Sequence, residues 1–211
     1  MEKRNTPSIF IVLLVVAMRS TAAADAEESA PANNADFNKF LASEDPVWTI
    51  ESTARNPPTC RLDVIDRQNG RDALLHRYEK NMFPRGSRSG QRGVQSYDFI
   101  ATFPTTDSMS LRYQANDAPY SHEKLELISR DGKCALISWK ALRNAGSPLQ
   151  KVEVTEEVRA RNSAIDSEGN ASCLNDLKQI MEEQHKGSQR RLLVYSPSCQ
   201  KIHERRLSRP E

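Results

Sequence analysis

The sequence predicts an all-β protein, an eight-stranded antiparallel up-and-down barrel followed by one C-terminal α-helix. Three observations carry this. From Trp48 to Val154 the chain is a succession of short β-like segments broken by polar or Gly/Pro punctuation, several of them alternating with period two. Between Leu174 and Met181 the apolar period changes to the helical one. Four cysteines, Cys60, Cys134, Cys173 and Cys199, are spread from the second segment to the last. An eight-stranded barrel is just wide enough to hold one small ligand. A two-sheet sandwich is the competing all-β arrangement; it predicts Greek-key connections and has no need of the terminal helix.

Taken in order, Lys3 and Arg4 precede an apolar run from Ile9 to Met18, and the small residues Ser20 to Ala24 follow. That pattern predicts a secretory signal peptide over residues 1–24, cleaved after Ala24 or one residue earlier. The run is about half of the roughly 20 residues a membrane span needs. The expected location is therefore extracellular. Residues 25–35, rich in Ala, Glu, Asp and Asn, are expected to be a disordered leader, residues 36–203 the barrel domain, and residues 204–211 a disordered tail.

Within the domain, Asp36 to Ala42 reads as a short helix whose Phe37, Phe40 and Leu41 cover one end of the barrel. Cys60 to Asp66 and Leu74 to Phe83, with the Asn69-Gly70 turn between them, form a strand pair. In Tyr97 to Phe103 the alternation puts Tyr97, Phe99, Ala101 and Phe103 on one face and Asp98, Ile100 and Thr102 on the other. Ser108 to Ala115 follows, with Leu111 and Tyr113 opposite Arg112. Leu125 to Ile128 then turns through Asp131-Gly132 into Cys134 to Trp139, the strongest local hairpin signal in the chain. Leu174, Leu177, Ile180 and Met181 form the helix, with Ser172 as N-cap and Gly187 as stop. Leu192 to Tyr195 is a last strand-like run delivering Cys199.

Charge and motifs exclude several functions. Residues 1–24 contain three basic residues and one acid, so the 30 Lys+Arg and 28 Asp+Glu become 27 and 27 in the mature chain. A neutral chain with interspersed charges offers no electrostatic reason to expect nucleic acid or an anionic membrane as partner. The even cysteine count in a secreted chain predicts two disulfides, with three pairings open. No metal-ligand spacing, nucleophile elbow, zinc-protease motif or phosphate loop occurs, and His76, His122, His185 and His203 are scattered over different segments. Neither catalysis nor a cofactor is expected. The basic stretch Arg85 to Arg92 is diluted by Gly and Ser and reads as a mobile loop. Asn170-Ala171-Ser172 is a glycosylation sequon.

Several stretches resemble the tick salivary lipocalins, the family that includes the histamine-binding proteins. They are Asp45 to Thr49, Cys60 to Val64, Asp131 to Cys134, Cys173-Leu174 and Tyr195 to Cys199. The resemblance implies the pairings Cys60 with Cys199 and Cys134 with Cys173. It also implies a secreted, monomeric lipocalin that sequesters a small host mediator, an amine such as histamine or serotonin or else a lipid, and so suppresses host defence. The alternative it leaves is a scaffold whose loops, such as Phe83 to Arg92, bind a host protein of complement or clotting. Trp48 resembles the tryptophan that many lipocalins pack across the barrel floor and is read as structural. The sequence departs from the amine-binding pattern at Ala135, where an Asp would follow the cysteine, and at Glu157-Val158-Arg159, which keeps an acid and loses an aromatic. A buried amine needs a carboxylate partner. The candidate ligand-binding residues are Tyr97, Phe99, Phe103, Tyr113 and Glu157, with an inward Arg112 as the feature that would favour a fatty-acid-like ligand.

Overall fold

The computed structural model describes residues 35–41, 44–69, 72–80, 93–142, 154–186 and 189–207. The predicted signal peptide, the leader to residue 34, the loop Arg85 to Arg92 and Gly187 lie outside them. Eight strands make the body: β1 (Val47–Ser52), β2 (Cys60–Asn69), β3 (Asp72–Lys80), β4 (Val94–Thr105), β5 (Ser108–Tyr113), β6 (Pro119–Ile128), β7 (Cys134–Ala141) and β8 (Val154–Arg161). From β2 to β8 each strand pairs antiparallel with the next, β8 pairs β1, and β1 returns to β2 through Val47↔Asp63 and Trp48↔Leu62. The sheet is a closed meander, so the eight-stranded up-and-down barrel is the fold and the sandwich is not. A two-residue strand, β9 (Leu192–Leu193), adds to β1 opposite Ser52 and Glu51.

The strand ends fall into two sets. Those at which β1, β3, β5 and β7 finish and β2, β4, β6 and β8 begin form one end of the barrel, the mouth; the opposite strand ends form the floor. The β6 to β7 hairpin at the floor turns through Gly132, whose φ of +70° a side chain would strain. The single-turn helix α1 (Phe37–Phe40) covers the floor. Asp36 caps it by accepting the Lys39 N–H at 3.2 Å, and the Phe37 N–H donates to the Thr106 carbonyl in the β4 to β5 turn at 2.7 Å. The Arg161 guanidinium donates to the Phe40 carbonyl at 3.1 Å, and Phe37 and Phe40 are wholly buried.

Helix α2 (Leu174–Glu183) buries Leu177, Ile180 and Met181 against the outer wall formed by Leu62, Leu136 and Val158. Its N-cap is Cys173 rather than the expected Ser172, because the disulfide from Cys173 to Cys134 on β7 fixes where the helix begins. The second disulfide, Cys60 to Cys199, ties the C-terminal segment to β2. Both pairings are those the family resemblance implied. The expectation of a structureless chain after His203 fails as far as Leu207, where α3 (Gln200–Leu207) continues from Cys199. Ile202, buried against the outer-wall core, anchors that helix, a contact its charged sequence hides.

Trp48 is structural, but on the outer wall and not across the floor. Its ring meets Tyr195 edge-on at 5.2 Å and its Nε1–H donates to the Asn162 side chain at 2.9 Å. A second apolar core fills the floor end of the lumen, built from Phe37, Phe40, Leu75, Phe103, Met109 and Leu125 with their neighbours.

Candidate functional site: the lumen of the barrel

Strand alternation decides what enters the lumen. On β2, Cys60 must face outward because its partner Cys199 lies in the segment outside the wall. Leu62 and Val64 follow it, so Arg61 and Asp63 point inward. Register then carries the inward set around the ring: Glu79 lies opposite Arg61, Arg77 opposite Asp63, and Tyr97 opposite Arg77. On β6 and β8 the inward set includes Ser121, Glu123, Thr155, Glu157 and Arg159.

These side chains meet across the barrel. Arg77 on β3 forms a two-pronged pair with Asp63, Nε to Oδ1 at 2.7 Å and Nη2 to Oδ2 at 2.8 Å, and its Nη2 also reaches Glu123 on β6 at 3.1 Å. Strands β3 and β6 are not neighbours, so only a contact through the lumen can join them. Arg159 binds Glu157 through Nη2 at 2.6 Å and lies 3.3 Å from Asp63. Its Nη1 stands 2.7 Å from Glu123 Oε2, an ion contact whose angle falls short of a hydrogen bond. Arg61 completes the set, holding Glu79 at 2.7 Å and pairing with Glu157. The result is a belt of three guanidinium groups and four carboxylates on β2, β3, β6 and β8. Arg77, Glu123 and Arg159 have no exposed surface at all.

The electrostatics follow from that mutual pairing. Burial alone would raise the Glu157 pKa, but Arg61, Arg159 and Arg77 pull it down to about 2. Burial likewise opposes ionisation of Asp63, and Arg77 with Arg159 and Arg61 reverses it, leaving its pKa below the usual carboxylate value. Burial would favour neutral guanidiniums, yet the facing acids hold Arg61, Arg77 and Arg159 more firmly charged than in water. The belt thus sets four carboxyl groups against three guanidinium groups, one acid more than it has bases.

Aromatic rings stand against and above the belt on the mouth side. The Arg77 guanidinium lies 5.9 Å from the Phe99 ring centre and 6.0 Å from that of Tyr120. Phe99 and Tyr120 pack with their rings tilted and centres 4.5 Å apart, Tyr113 lies 5.1 Å from Phe99, and Trp139 lies 6.2 Å from Tyr120. Tyr97, Tyr113 and Trp139 are half-buried. The Trp139 Nε1–H and the hydroxyl of Thr155, which faces Trp139 across the β7 to β8 pair, have no hydrogen-bond partner among the described residues.

Of the residues singled out from sequence, Tyr97, Phe99, Phe103, Tyr113 and Glu157 all lie on the lumen face, at three different depths. Phe103 packs in the floor core and Phe99 is wholly buried against the belt, while Tyr97 and Tyr113 lie nearer the mouth. Glu157 is not a surface neighbour of Glu156: it is buried and paired, whereas Glu156 faces outward and holds Arg191 at 2.5 Å. Arg112 does not point inward. It stands opposite the outward Ile100 and pairs with the exposed Asp117. Among the described residues the inward cations are Arg61, Arg77 and Arg159, and sequence reasoning missed all three, together with Asp63, Glu79 and Glu123. The pairing of Cys60 with Cys199 was the signal that could have found the first of them, since it fixes the outward face of β2.

Outside the lumen, His76 lies between Asp66 and Asp98 at 2.9 and 2.5 Å on the outer surface, and His122 meets Ser110 Oγ at 3.1 Å. No group of three or more metal-ligating side chains with metal-site geometry occurs among the described residues. A groove of 310 Å³ between α2 and the outer wall is floored by Val158, Leu177, Met181 and Leu193 and rimmed by Glu51 and Arg191.

No protein-family model matches the sequence, and no curated protein does. Lipocalins are among the solved structures that align with the chain. The siderocalin Ex-FABP aligns with a TM-score of 0.47 and 6% identity over 74% of this chain and 91% of that one. The tick lipocalin Japanin from Rhipicephalus appendiculatus, bound to cholesterol, aligns with a TM-score of 0.40 and 13% identity over 61% and 80%. A bovine odorant binding protein, a deswapped triple mutant, gives 0.41 and 13% over 73% and 95%. Likeness at these scores says nothing of what this chain binds; the barrel itself is established by its own strand order.

Proposed function

We propose that the protein is a secreted, non-enzymatic lipocalin that sequesters a small host mediator in the mouth half of its barrel, and that the ligand carries a positive charge, as histamine and serotonin do. The observation that supports this best is the excess of one carboxylate in the belt beneath a wall of half-buried aromatic rings. A cation placed there pairs with the surplus acid and lies against ring faces, whereas a fatty-acid carboxylate adds to the surplus. Trp139 Nε1–H and the Thr155 hydroxyl supply directional contacts. The sequence resemblance to the tick salivary lipocalins supports secretion and host-defence suppression; the expected signal peptide over residues 1–24 and glycosylation at the exposed Asn170 belong to the same picture.

Calorimetric titration of the oxidised protein with histamine, serotonin and arachidonate tests the proposal. It expects saturable binding of an amine, weakened about tenfold or more in Glu79→Gln, which removes one belt charge nearest the mouth without changing volume. Preference for arachidonate contradicts it. A second reading, binding of a host protein through the loops, is favoured by the filled lower and middle lumen. Silence towards all three ligands would turn the assignment to it.

A further inference from the structure

The belt does more than carry charge, because of where it lies. Below it the lumen is closed by the floor core and α1; above it the walls are aromatic and half-buried. In the belt layer itself Arg77, Glu123, Arg159, Phe99 and Ile137 are wholly buried, and Asp63 and Glu157 are 2% exposed. Side chains that expose no surface border no space wide enough for water. The belt also draws its members from β2, β3, β6 and β8; Phe99 of β4 lies against Arg77, Ile137 of β7 opposite Glu157, Thr49 of β1 opposite Arg159, and Leu111 of β5 opposite Ser121, whose hydroxyl donates to Glu123, and all four are buried. All eight strands thus contribute to one continuous partition.

We infer that this ion-pair belt is a depth stop, which limits the ligand to a short cationic headpiece in the mouth half and excludes long hydrocarbon tails from the floor. The inference rests on the proposed binding of a cationic ligand in the mouth. Opening the partition would require separating buried charges from their partners, which is far more costly than moving apolar side chains aside. A lumen of hydrocarbon alone would yield to a tail; this one does not. From Arg77 at the centre of the belt to Lys80 at the end of β3 the three residues span roughly 10 Å at about 3.3 Å each, the length of about an octyl chain.

The test is a series of straight-chain alkylammonium ions, from butyl to tetradecyl, titrated calorimetrically into the oxidised protein beside histamine and serotonin. While the tail is being buried each added methylene should raise affinity about fourfold. The depth stop predicts that this gain ends before decyl and that decyl, dodecyl and tetradecyl ions bind no more tightly than octyl. In the charge-balanced double variant Asp63→Ala with Arg77→Ala, the gain should extend to longer chains. A fourfold gain per methylene sustained to tetradecyl in the unaltered protein overturns the depth stop and leaves the cationic ligand standing. Failure of every amine, short or long, to bind removes the ligand proposal and the depth stop with it. Because the series is run on the unaltered protein, misfolding of the double variant does not spare the inference.

Discussion

The two faces of this barrel wall obey opposite rules. The outer face beneath α2 is hydrocarbon, with Leu62, Leu136, Val158, Leu177, Ile180 and Met181 packed together and two disulfides pinning the covering segment. The inner face at mid-height is ionic, with seven acidic and basic side chains paired across the lumen. Strand β2 shows both at once: Cys60, Leu62 and Val64 look outward into apolar packing, while Arg61 and Asp63 look inward. Alternation of charged and apolar residues normally assigns the charges to solvent. Here the covered outside takes the apolar set and the lumen takes the charges, so period two reveals a strand without revealing which side is wet.

The contrast predicts how each face fails. The largest loss should come from the outer face. Replacing Cys60 and Cys199 by Ser opens a closure of 139 residues, which the chain-entropy model values at about 5 kcal/mol, and replacing Cys134 and Cys173 opens one of 39 residues, about 4 kcal/mol. Denaturant melts of the two double variants would check both size and order. The inner face should lose nearly as much when its pairing is broken from one side: Glu157→Ala leaves Arg61 and Arg159 buried with a partner gone, and should cost about 3 to 5 kcal/mol. Replacing both members of a pair, Arg77→Met with Asp63→Leu, should be far milder, because no charge is left stranded. If the paired replacement proves as damaging as the single one, the belt matters through packing and not through charge.

Acid should act on the inner face selectively. The folded-state pKa of Glu157 lies near 2, below its ordinary value of 4.5. A carboxylate with a depressed pKa contributes stability that is present above the unfolded value and is lost as pH falls through the folded one. Stability should therefore decline from about pH 5 towards pH 2, by on the order of 3 kcal/mol for this group, with Asp63 adding in the same direction. Glu157→Gln should flatten that slope in pH-dependent denaturant melts; an unchanged slope would locate the acid sensitivity elsewhere. The smallest effect belongs to Arg112→Ala. Its pair with Asp117 is solvent-exposed, and the change should stay within about 0.5 kcal/mol in the same melts.

The barrel was legible in the sequence because strand spacing, the Asp131-Gly132 hairpin and the single change to helical period are local signals, and α2 with its buried Leu177, Ile180 and Met181 followed from spacing alone. The shared face of Tyr97, Phe99 and Phe103 was legible for the same reason. What local pattern could not supply was the sidedness of each strand, and the belt depends on nothing else. Glu157 illustrates the point: beside Glu156 it looks like solvated surface, and only closure of the ring turns it towards Arg61 and Arg159. Arg112 illustrates the converse, an attractive inward cation that faces out once its neighbours are paired. α3 was missed because its anchor, Ile202, is one apolar residue in a charged stretch.

The most direct test of the ionic lumen is the titration of the Glu157 carboxyl itself, followed by its side-chain ¹³C shift in the folded protein as pH is lowered. The belt predicts that the resonance stays in its ionised position through pH 4.5 and moves only near pH 2 or when the protein unfolds. A carboxyl that titrates near 4.5 while the barrel remains folded would show that Glu157 faces water, and the belt would not exist.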